Sequence, residues 1–105
     1  MRQFIRHPLD VPIEIRTDQR GPAAAFHTQD ISLGGARVFS DEEFTIGSRL
    51  DMDVLLPDGS IVRCWAEVIW LVALGPVAEA RFDVGLKFTD MAPDDVQRLS
   101  SVLVR

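Results

Sequence analysis

Two short stretches of the 105-residue chain carry side chains able to hold a nucleotide. Arg2 and Arg6 lie in Arg2-Gln3-Phe4-Ile5-Arg6, and Asp30, Ser32 and Gly35 lie in Asp30-Ile31-Ser32-Leu33-Gly34-Gly35. A guanidinium donates parallel N–H bonds from a rigid fork. A pair of arginines can therefore clamp a phosphodiester, fork onto guanine O6 and N7, or stack on the purine face. The Asp30 carboxylate suits the other guanine edge, accepting from N1–H and N2–H₂, a pattern that adenine does not offer. Ser32 and the backbone amides near Gly35 suit a phosphate or a second base edge, because glycine lets the backbone approach closely. Each motif alone also has a plain structural explanation. The arginines fit a solvated chain end. The second segment fits a bend between strands, with Gly34 and Gly35 supplying backbone freedom and Asp30 and Ser32 capping local N–H groups.

The charge pattern agrees with an anion site early in the chain. The net charge is -5, yet residues 1–37 hold five arginines and four acidic groups, whereas residues 38–105 hold six basic and twelve acidic groups. Ten of the eleven basic residues are arginine, which favours planar, forked contacts. Arg16, Arg20, Arg49 and Arg81 fit solvated strand and loop positions. An acidic domain without aromatics interleaved among basic residues is a poor match for an oligonucleotide-binding barrel, so neither DNA nor RNA is expected as a partner.

Catalysis is not expected either. His7 and His27 belong to no nucleophile, metal or paired-carboxylate pattern. Cys64 is the only cysteine, which removes thiolate zinc sites and internal disulfides, and its place inside an apolar alternation marks a buried, inert thiol. No cofactor or metal is called for. No apolar run approaches the ~20 residues that cross a bilayer, and the N-terminus does not look like a signal peptide. Membrane insertion is not expected, and a cytoplasmic location is.

Period-2 alternation supplies the elements that must position these groups. Val11, Ile13 and Ile15 mark a first strand, with Pro12 suggesting an edge or a start. Ala24 to Ile31 and Ala36 to Phe39 form a second and third around the Gly34-Gly35 corner. Leu50, Met52, Val54 and Leu56 make a fourth, joined through the turn Pro57-Asp58-Gly59-Ser60 to a long fifth from Ile61 to Val72. In that arm Val62, Cys64, Ala66, Val68 and Trp70 share one face. Phe82, Val84, Leu86 and Phe88 make the sixth. The period then changes to about 3.6 at Val96, Leu99 and Leu103, behind Pro93, Asp94 and Asp95, which suit a helix start. The pattern predicts an all-β fold with one C-terminal helix, a six-stranded antiparallel β-barrel.

Arg2 and Arg6 as RxxxR, followed by Asp30, Ser32 and Gly35 as (D/N)xSxxG, resemble the paired motifs of PilZ domains that bind cyclic di-GMP. Gly47-Ser48-Arg49-Leu50, Ala66-Glu67-Val68-Ile69-Trp70 and Asp83-Val84-Gly85-Leu86-Lys87-Phe88 resemble later parts of that family, so the likeness runs over nearly the whole chain. It implies a single PilZ-like domain over 1–105, with residues 1–8 a flexible arm that folds over cyclic di-GMP held against the Asp30–Gly35 surface. It also implies an effector that signals to a downstream protein and controls motility, exopolysaccharide, biofilm or virulence. Relatives that hold a stacked ligand pair often carry a further arginine where this chain has Met1, so one ligand per chain is expected. The alternative is a PilZ-like interaction adaptor that works without nucleotide, although such adaptors typically lack these motifs. Trp70 and Gly85 are candidates to line the site, but a barrel-core tryptophan and a tight strand glycine are the simpler explanations.

Overall fold

The computed structural model describes residues 12–16 and 24–103. Six strands, β1 (Pro12–Arg16), β2 (Ala24–Ile31), β3 (Gly35–Ser40), β4 (Arg49–Leu55), β5 (Ile61–Ala73) and β6 (Phe82–Met91), precede one helix, α1 (Pro93–Leu103). All six pair antiparallel in the order β1-β2-β3-β6-β5-β4, and β1 closes the ring by pairing with both β2 and β4. The predicted six-stranded barrel with a C-terminal helix is the fold observed.

Alternation along each strand decides what enters the barrel. Ile13 and Ile15 from β1, Val38 from β3, Met52 and Val54 from β4, Val62 and Val68 from β5, and Val84 and Leu86 from β6 are all essentially inaccessible. Burying an aliphatic side chain of this size stabilises by roughly 1.5–3 kcal/mol, so a charge at Ile13 or Met52 would be enough to open the barrel. Cys64 is buried in the same layer, and desolvation pushes its thiol up to about 12, which fits the inert reading.

Turns follow from local chemistry. Gly59 takes φ +89 in the β4–β5 turn, Leu56 N–H donates to Ser60 O at 2.9 Å, and Asp58 Oδ1 accepts the Ser60 N–H at 2.8 Å. The Ser60 hydroxyl and N–H hold the Asp58 carboxyl below its ordinary range. Gly47, at φ +90, turns the chain into β4.

Three elements differ from the sequence pattern. The register of β5 against β6 shifts between Trp65 and Ala66 and again between Val68 and Trp70. The second irregularity breaks the face of Val62, Cys64, Ala66 and Val68: Trp70 is only half-buried, and Leu71 packs on the core instead. Trp70 is therefore not the barrel-core residue its alternation suggested. The first shift lets β6 run on to Met91, which pairs with Cys64. In α1, Leu99 and Leu103 join the barrel core, but Val96 is 39% exposed, and Val102 packs against the core. Among the described residues, no helix is long and apolar enough to cross a membrane.

Candidate functional site

Asp30 is the penultimate residue of β2, and Gly35 is the first of β3, so the second motif is the β2–β3 corner. Its loop is pinned from within. Ser32 N–H donates to Gly35 O at 2.9 Å, the Ser32 hydroxyl donates to the same carbonyl at 3.4 Å, and Gly34 N–H donates to Ser32 Oγ at 3.2 Å. Phe88 N–H donates to Gly34 O at 2.9 Å, which ties the corner to β6. Ser32 is buried and takes the local capping role that its residue type favours.

Gly35 is required for a reason that periodicity does not show. It lies in extended backbone opposite Lys87, and a Cβ there would overlap the Leu86 carbonyl oxygen. Close approach of β6, and not a left-handed torsion, demands glycine at this position.

The carboxylate of Asp30 points into an ionic cluster on the outer barrel face. A β-bulge lies between Thr28 and Asp30, after which Asp30 pairs with Arg37 and Ile31 with Ala36. Arg37 NH1 stands 3.7 Å from Asp30 Oδ2, and Arg37 Nε donates to both oxygens of Asp83, at 2.9 and 3.1 Å. The hydrogen bond to Asp83 raises the pKa of Arg37 above its ordinary value, against a smaller opposing effect of desolvation. Arg37 in turn lies opposite Gly85, and Gly85 lies opposite Trp70. A row of Asp30, Arg37, Gly85 and Trp70 thus crosses four strands on one face.

Of the predicted site residues, Asp30, Ser32 and Gly35 are brought together at this corner. Arg2 and Arg6 lie outside the described residues. The sequence reading missed Arg37 and Asp83. A usable signal was present: Arg37 stands two residues beyond Gly35 and Asp83 two before Gly85, so each shares a strand face with a glycine already noted.

Among the described residues, other arginines have local partners. Arg49 lies over the Trp65 ring at 5.0 Å and pairs with Asp90 at 3.2 Å, Arg63 pairs with Asp53 at 3.0 Å, and Arg81 lies over Phe82 at 5.2 Å. A depression of about 460 Å³ beside β2 and the end of β3 is lined in part by Phe26, Phe39, Asp41, Glu42 and Glu79. The carboxylates in this lining repel phosphate. Among the described residues, no group of three or more His, Cys, Asp or Glu side chains is arranged to hold a metal.

Similar barrels occur among solved structures. The Bacillus subtilis inhibitor of motility MotI/DgrA superposes with a TM-score of 0.80 at 23% identity, covering 99% of this chain and 50% of that one. Escherichia coli YcgR, solved in complex with c-di-GMP, gives 0.76 at 16% identity, covering 98% and 44%. The PilZ domain of CeSA from a cellulose-synthesizing bacterium gives 0.69 at 22%, covering 96% and 99%. The chain spans about half the length of MotI and of YcgR, and at these identities the likeness concerns the fold. No curated protein sequence matches the chain. The PilZ domain family model matches residues 1–105, and with the barrel and the Asp30–Gly35 corner in place, the chain belongs to the PilZ domain family.

Proposed function

We propose that the chain is a receptor for cyclic di-GMP. The observation that carries this reading is the placement of the Asp30 carboxylate beside the internally braced 32–35 corner, in a chain that also carries Arg2 and Arg6 in the family's order. The carboxylate accepts the N1–H and N2–H₂ edge of guanine, and the corner's backbone, shaped by Ser32 and Gly35, takes a phosphate or the second base edge. Arg2 and Arg6 supply the phosphate clamp and the guanine fork, and residues 1–8 order over the ligand. The chain acts as one domain over 1–105, holds one ligand, and signals through the surface that the ordered arm creates to a downstream protein. It is a cytoplasmic effector, not an enzyme, and uses neither DNA, RNA nor membrane insertion. The YcgR relative, solved with the same nucleotide, supports the choice of ligand.

Calorimetric titration with cyclic di-GMP, with GTP and cyclic di-AMP as controls, tests the reading. Saturable binding selective for cyclic di-GMP is expected. Absence of binding by the folded protein would favour the nucleotide-independent adaptor.

A further inference from the structure

Arg37 is held more firmly than an outer-face arginine needs to be. Its Nε–H is shared between the two carboxylate oxygens of Asp83, the guanidinium lies 5.5 Å from the Phe39 ring centroid, and NH1 faces Asp30 at 3.7 Å. All three groups of the cluster are partly withdrawn from water, with side chains 38% exposed for Arg37, 19% for Asp30 and 14% for Asp83. Cross-strand geometry accounts for the arrangement. Asp30 is the direct partner of Arg37, while Asp83, paired with Phe39, is its diagonal neighbour.

An aspartate accepting two donors from one base edge must have its carboxylate plane set, because rotation about the terminal torsion is broad. A guanidinium anchored elsewhere can set it without moving itself. Building on the cyclic di-GMP reading, we propose that Arg37, anchored by Asp83, is a positioning residue that orients Asp30 and so sets the preference for guanine. Lysine would not replace it, because the rigid guanidinium plane aims Nε–H at Asp83 and NH1 at Asp30 in fixed, separate directions, which a single ammonium on a flexible stem does not.

The test uses titration calorimetry on wild type, Arg37→Met and Asp83→Asn, each also in an Asp30→Ala background. The ligands are cyclic di-GMP and cyclic di-IMP, the inosine analogue that lacks the 2-amino group. Wild type should prefer cyclic di-GMP. In both single variants its affinity should fall about tenfold while that for cyclic di-IMP moves less than about twofold, and neither substitution should add to the loss already caused by Asp30→Ala. Asp83→Asn is isosteric and carries the test if Arg37→Met melts too low to titrate. Three results would each overturn the proposal: equal losses for both ligands, additivity with Asp30→Ala, or a wild type indifferent to the 2-amino group. A wild type that binds neither nucleotide would instead overturn the functional reading beneath it.

Discussion

The indole of Trp70 covers the Cα of Gly85 so closely that a Cβ on residue 85 would overlap Cε2, Nε1 and Cδ2. The nearest obstacle is thus a ring, a half-buried side chain just past an irregularity in β5. Gly85→Ala should therefore push the indole outward, at a cost of about 1–3 kcal/mol, typical of overpacking. In a Trp65→Phe background, which leaves one reporter indole, tryptophan emission should shift to the red and the urea midpoint should fall. An unchanged spectrum would show that the contact is not maintained in solution.

Gly35→Ala should cost more than Gly85→Ala. Its obstacle is the Leu86 carbonyl, backbone that cannot turn aside without breaking the β3–β6 pairing. Ser32→Ala removes the acceptor of the partly buried Gly34 N–H and should cost about 0.5–1.5 kcal/mol. Denaturant melts of the three variants rank these effects. Binding measured on any of them must be referred to the folded fraction.

Arg2→Ala and Arg6→Ala should each weaken cyclic di-GMP binding about 10- to 150-fold, since a hydrogen bond to a charged group contributes roughly 1.5–3 kcal/mol, with Arg6 the larger loss. Amide exchange with and without ligand reads the accompanying order: protection should rise at residues 3–7. Equal affinity in wild type and the double variant would remove the arginines from the site.

Asp30→Ala should narrow the preference for cyclic di-GMP over cyclic di-AMP more than it weakens the attraction for phosphate. It also strips one partner from Arg37, so melting and both affinities belong on the same sample. A lower melting temperature with an unchanged nucleotide preference would assign Asp30 to the fold alone.

Cys64 gives a pH-dependent prediction. Its folded pKa is raised to about 12 by burial, against 9.0 for an unperturbed thiol. Well below pH 9 both folded and unfolded chains keep the proton, and the cysteine adds little pH dependence. Between about 9 and 12 the unfolded chain ionises first, so this group's contribution to stability should fall as pH rises. A thiol-alkylating reagent at pH 8 should label the chain only when it is unfolded, as mass spectrometry can report.

The barrel was legible because apolar core residues recur at every second position along stretches that pair without interruption. Leu50, Met52 and Val54 enter the core as their spacing requires. Legibility failed at the bulges. Trp70 continues the parity of Val68 on paper, yet one irregularity places Leu71 against the core, and no residue between them announces it. The helix was legible as a helix, but Val96, which shares the spacing of Leu99, stays 39% exposed and is not part of the buried core. At the site, Asp30, Ser32 and Gly35 were visible as a local motif. The Arg37–Asp83 pair was not, because its members stand 46 residues apart and meet only through the β3–β6 register.

The closure of the ring by β1 has a practical consequence for dissecting the arginines. Five residues, Pro12–Arg16, stand between β2 and β4 and carry the pairing with both. A truncation that strays past residue 11 would not yield a barrel that has merely lost its ligand. It would leave an open five-stranded sheet with β2 and β4 as raw edges, each a row of unpaired backbone groups able to recruit another chain. Pull-downs with such a fragment would report stickiness and resemble partner binding. The arm is thus better interrogated one side chain at a time, with the seam left sewn.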